Sequence, residues 1–112
     1  MTQYLVSIYR ADNYDPSTED DTMGRAIDLL NEAMVAAGVR IFVGGLRPVS
    51  SAKSLRVKAG GEVLVNDGQY LKAGEHMGGF WVLECADEDE ALAWGRKAAV
   101  ACRASVEVRP FY

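Results

Sequence analysis

Apolar and polar positions alternate with a period of two in six runs of the chain, and with a period near 3.6 in two others. "QYLVSIY" reads as the first strand, with Tyr4, Val6 and Ile8 on one face and Leu5, Ser7 and Tyr9 on the other. Both faces are largely apolar, so both are expected to be covered, one by helices and one by a second sheet. Asp15-Pro16 ends the run, and Ser17 or Thr18 is placed to cap a helix whose first turn holds Glu19, Asp20 and Asp21. Met23, Ala26, Ile27, Leu30, Ala33, Met34 and Ala37 form its apolar stripe, and Gly38 stands where a left-handed cap belongs.

"VRIFVGGL" predicts a second strand, with Val39, Ile41 and Val43 alternating against Arg40 and Phe42. Leu55 and Val57 match Val63 and Val65 across Ala59-Gly60-Gly61, the clearest hairpin in the chain. "GGFWVLECA" is the next strand: Trp81, Leu83 and Cys85 share one face, and Phe80, Val82 and Glu84 the other. Asp87 with Glu90 three residues on has capping-box spacing and opens the second helix. "ASVEVRPFY" closes the order, ended by Pro110.

With the hairpin set aside, the order is β-α-β-β-α-β, a ferredoxin-like α+β arrangement in one domain spanning residues 1–112. Both helices then lie on one face of a four-stranded antiparallel sheet. The other face would expose an apolar patch larger than a soluble monomer shows, so a homodimer through that sheet face is expected. The chain's 112 residues suit one thin-cored domain that a second subunit would stabilise.

A formal net charge of −4 argues against a nucleic-acid partner. Arg47, Lys53, Arg56 and Lys58 cluster, but as a solvated face or a guarded sheet edge. No run reaches the roughly 20 apolar residues of a membrane span, and the first residues lack the basic and apolar regions of a signal peptide, so a cytoplasmic protein is expected. Cys85 and Cys102 lack the spacing of a zinc or redox pair and are expected as buried free thiols. One histidine and scattered carboxylates make no metal site, and no nucleotide or phosphate-loop fingerprint appears, so no cofactor is expected.

Five stretches, in order, resemble the YCII-related proteins of the DGPF type: "YLVSIY", "AAGV", "GGLRP", Asp67 to Phe80 in place of the D-G-P-F-x-E-x-K-E-x-x-G-G-F signature, and "EVRPF". Within the signature Asp67, Gly68, Glu75, Gly78, Gly79 and Phe80 match, whereas Gln69, Tyr70, Lys72 and Gly74 depart from it. The resemblance implies a dimeric α+β barrel, a fold shared with lactone isomerases and a dehydrochlorinase acting on products of aromatic ring degradation. A related member type has a His-Asp pair whose histidine lies early in the first helix. No histidine lies between Pro16 and Gly38, so that pair does not carry over.

The candidate chemistry falls in "NDGQYLKAGEHMGGFW". Asp67-Gly68 reads first as a turn, and Asp67 alternatively as a base at a cleft mouth. His76 reads as an exposed loop residue, and alternatively as the general acid or base, since an imidazole titrates near neutral pH. The two converge only if the loop folds back. Arg47 and Arg109 are candidate carboxylate anchors, with Tyr70 and Glu75 as further ligand-binding residues. Three functions compete: a small-molecule-binding dimer, a cofactor-independent isomerase or lyase acting on a small ring-derived acid, and a dimerisation domain alone.

Overall fold

A computed structural model describes residues 1–112. The strands are β1 (Thr2–Ala11), β2 (Arg40–Gly45), β3 (Lys53–Val57), β4 (Val63–Asp67), β5 (Glu75–Cys85) and β6 (Ser105–Pro110), and the helices are α1 (Asp21–Ala36) and α2 (Glu88–Cys102). Four strands form one antiparallel sheet in the order β2-β5-β1-β6, the ferredoxin-like order once β3 and β4 are set aside. β3 and β4 pair with each other as a separate two-stranded sheet.

The closed barrel expected from the family resemblance is not formed. The four-stranded sheet is open, with β2 and β6 as edges, and the hairpin pairs with neither. The two sheets stay separate, so the chain shows an open α+β sheet and no closed barrel.

The core lies between the helices and one face of the sheet. Tyr4 and Val6 from β1 meet Trp81, Leu83 and Cys85 from β5, with Leu30 and Met34 from α1 and Ala91, Ala98 and Cys102 from α2. The alternation read from the sequence therefore holds over Tyr4 to Ile8 in β1 and Trp81 to Cys85 in β5. Register explains it: Tyr4 opposes Leu83 and Val6 opposes Trp81, so both strands turn the same set of residues inward. Trp81 is buried with its indole N–H donating to Asn31 Oδ1 at 2.9 Å, which satisfies the polar edge of its ring. Both cysteines are buried free thiols, and desolvation, aided by Glu90 and Asp87, pushes Cys85 up to about 11.

The caps differ in part from expectation. Asp15 caps a short 3-10 turn at Pro16–Thr18, and Asp20 caps α1 by accepting from the Met23 amide. Gly38 takes the left-handed conformation after α1, at φ 72°. Asp87 caps α2 as its spacing predicts, accepting from the Glu90 amide at 2.9 Å. Arg103 ends α2 in the left-handed region and reaches Asp20 at 3.1 Å, tying the end of α2 to the start of α1.

Two irregularities break the simple alternation. β2 shifts register between Arg40 and Phe42, so Ile41 is exposed rather than matched with Val39 and Val43. β5 shifts between Gly79 and Met77, opposite Ile8 and Tyr9, leaving Gly78 as an extra residue. β5 also begins at Glu75, so His76 is a strand residue and not part of a loop.

At Gly79 a Cβ would stand 2.9 Å from the Gly44 carbonyl oxygen and 3.2 Å from Gly45 Cα. Backbone, not a flexible side chain, occupies the space. Gly24 in α1 has nothing within 4 Å of the same position. Gly79→Val is therefore expected to destabilise the fold by more than about 1 kcal/mol. Gly24→Ala should stabilise it by up to about 1 kcal/mol through helix propensity. Urea unfolding of both variants checks the pair, and equal effects would contradict the close approach.

Candidate functional site

The bulge at Gly78 decides where the histidine points. Without it, His76 would share a face with Phe80 and Val82. With it, His76 opposes Arg10 and joins the face of Tyr4, Val6 and Ile8. Asp12 lies just past the end of β1, two residues beyond Arg10, so it is a diagonal neighbour of His76 across the strand pair. The Asp12 amide donates to the Gly74 carbonyl at 2.8 Å, which holds the two strand ends together.

His76 Nδ1 stands 2.8 Å from Asp12 Oδ1. Gln69 Nε2 donates to the other oxygen, Asp12 Oδ2, at 3.2 Å. The hydrogen bond from His76 holds the Asp12 carboxyl below the usual carboxylate range, with Gln69 adding to it and desolvation opposing. A carboxylate on Nδ1 fixes the imidazole's orientation and leaves Nε2 as the nitrogen for a ligand or a proton. The His76 side chain is 17 % exposed and that of Asp12 34 %, so the pair is partly withdrawn from water yet reachable.

Cavities of about 380 Å³ and 740 Å³ both reach His76 and the segment from Leu46 to Val49. The smaller lies on the helix side, with Arg10, Asp12, Tyr14 and Glu19 in its wall. Tyr14 donates from its hydroxyl to Glu19 Oε2 at 2.6 Å, and its ring lies under the Arg10 guanidinium, 4.4 Å from carbon to centroid. Arg10 also donates to the Cys102 carbonyl at 2.7 Å, so its cation is anchored at the end of α2. The larger cavity lies on the open side of the sheet, where Tyr9, Met77 and Glu75 point, and Tyr70, Leu71 and Gln69 complete it.

Four of the six residues singled out from the sequence thus gather: His76, Arg47, Tyr70 and Glu75 all line the larger cavity. Asp67 ends β4 on the hairpin, where it pairs with Lys53 and is 84 % exposed. Arg109 stands on β6 opposite Leu5, with Glu107 at 4.0 Å, and lines neither cavity. Asp12, Gln69, Arg10 and Tyr14 were not singled out. Pairing "RAD" antiparallel to "EHM" would have brought Asp12 near His76, but only with the extra residue in place. Gly68 and Gly74 turn the connection between, at φ 97° and 86°. No three His, Cys, Asp or Glu side chains come together as a metal site, and no helix is long and apolar enough to cross a membrane.

Comparison with known proteins matches residues 2–112 to the YCII-related domain. An uncharacterised protein of Rhizobium meliloti (strain 1021) is 36 % identical over 94 residues, covering 82 % of this chain and 75 % of that protein.

The depressed Asp12 carboxyl has a signed consequence. A group whose folded pKa lies below its unfolded value stabilises the fold above the unfolded value and loses that contribution as pH falls through the folded one. The stability gap between the parent chain and Asp12→Asn should shrink as pH falls below about 4. Urea midpoints measured across that range check it; a gap that widens on acidification would contradict the bond.

Proposed function

The chain belongs to the YCII-related domain family, and we propose that it binds a small organic anion at the His76 end of the sheet. The Asp12–His76 hydrogen bond beside two cavities carries this reading. Arg47 lines both cavities and is the anion's anchor. The larger cavity, with Tyr9, Leu71 and Met77, suits an apolar body. A second reading is favoured by the same hydrogen bond. An imidazole oriented by a carboxylate is the arrangement general base catalysis needs, so a ligand with an acidic carbon would lose its proton to Nε2. Such a reaction is an isomerisation or elimination without cofactor.

The test is a thermal-shift screen of small carboxylic acids, because a ligand bound only by the folded state raises the melting temperature. A hit should weaken in His76→Ala and in Arg47→Ala. Unaltered binding in both variants would refute the site.

The same reading includes a homodimer formed through the open face of the sheet. Leu5, Phe42, Phe80 and Val82 share that face, with the Phe42 and Phe80 rings 5.8 Å apart and no helix over them. Charge placed at its centre, in Val82→Arg, should weaken the dimer by about tenfold or more, since it removes apolar burial and leaves a cation to desolvate. Sedimentation at micromolar concentration measures this, and a parent chain found as a 12.2 kDa species alone would refute the pairing.

A further inference from the structure

The β3–β4 hairpin is built inside out for a chain that stands alone. Cross-strand register sets Leu55 opposite Val65 and Val57 opposite Val63, so all four side chains form one contiguous face. They are between 49 % and 70 % exposed. The opposite face carries Ser54, Asn66, Arg56 and Leu64. That polar side is the one turned toward the rest of the chain. Ser54 donates to the Gly68 carbonyl, and the Arg56 guanidinium lies over the Tyr70 ring at 4.5 Å. A hairpin that served only its own fold would turn its aliphatic face inward.

The dimensions agree. The radius of gyration is 16.0 Å, where a compact chain of this length has about 13 Å. The accessible surface is 7655 Å², where a monomer of 12.2 kDa exposes about 6,100 Å². The excess, about 1,600 Å² for each chain, would remove about 3,200 Å² from a pair, inside the range of permanent homodimers. An isolated two-stranded hairpin is also marginal in water and needs a surface to pack on. At its base Lys53 pairs with Asp67, and the Gly68 amide donates to the Ala52 carbonyl at 2.8 Å.

We infer that the β3–β4 hairpin is an arm whose Leu55–Val57–Val63–Val65 face packs on a second copy of this chain. The inference shares the second copy with the proposed homodimer but rests on a different surface.

The test substitutes Leu55→Lys with Val65→Glu. The two are directly opposite, so a cross-strand ion pair preserves the hairpin while its apolar contact is lost. Sedimentation equilibrium of the full chain should show dimer affinity falling about tenfold or more. Unchanged affinity overturns the inference, as does a parent chain that is monomeric throughout the micromolar range. A nitroxide on Val57→Cys gives a readout independent of stability, because the native Cys85 and Cys102 are buried and leave the new thiol as the labelled one. The label should be immobile in the dimer and mobile on dilution. A label immobile at every concentration means that the chain covers its own arm, and one mobile at every concentration means that nothing does; either overturns the inference. The two surfaces separate cleanly. A dimer broken by Val82→Arg but not by the arm substitutions upholds sheet pairing and sinks the arm, and the reverse upholds the arm and sinks sheet pairing.

Discussion

The pairing of β1 with β5 is the constraint on which the rest of the molecule depends. These two strands are the centre of the sheet, and their ladder runs from Thr2 opposite Cys85 to Ala11 opposite Glu75. One end of the ladder builds the core and the other builds the site. At the core end, Val6 with Trp81 and Tyr4 with Leu83 turn toward the helices. At the site end, Arg10 opposes His76 and delivers Asp12 to it. Side-chain direction alternates with a period of two, so a slip of one residue would empty the core and dismantle the site together.

One residue reconciles the two ends. Gly78 is the extra residue of β5, and it reverses the parity of everything before it. Trp81 needs one parity to be buried, whereas His76 needs the other to reach Asp12. A strand without the bulge satisfies one requirement only. The glycines also let β2 come close, since Gly79 lies against the Gly44 carbonyl and the Leu46 amide donates to the Gly78 carbonyl at 2.9 Å. That contact brings the segment after β2, with Arg47, to the cavities. The glycine pair is thus a packing device whose consequence is chemical.

This accounts for what the sequence disclosed and what it withheld. Strands and helices were legible because burial of one face imposes its period on the residues, as in Tyr4-Val6-Ile8 or Met23-Leu30-Met34. The ferredoxin-like order followed from the sequence of elements alone. The cap of α1 was misread as Ser17 or Thr18, since several residues before the helix have capping side chains and only the backbone path selects Asp20. The bulges at Gly78 and near Ile41 were not legible, because an extra residue leaves composition and hydropathy almost unchanged. His76 therefore read as a loop histidine, and Asp12, sixty-four positions away, did not register as its partner. Barrel closure came from the resemblance rather than from periodicity, and the open sheet does not support it.

The site answers to what acid–base chemistry asks of its surroundings. A carboxylate–imidazole pair works best where water is limited, because hydrogen bonds and charges act more strongly at lower dielectric. In one chain that condition is half met. The helix-side cavity is backed by α2 through Arg10, whose cation is held by the Cys102 carbonyl. The open-side cavity has walls of exposed Tyr70 and Leu71, and its floor is the sheet face that no helix covers. The surfaces this chain leaves bare, the face around Val82 and the aliphatic side of the hairpin, line neither cavity. The Asp12–His76 pair, on the helix face of the sheet, takes its shelter from Arg10 and the end of α2, and the bare sheet face is a separate surface.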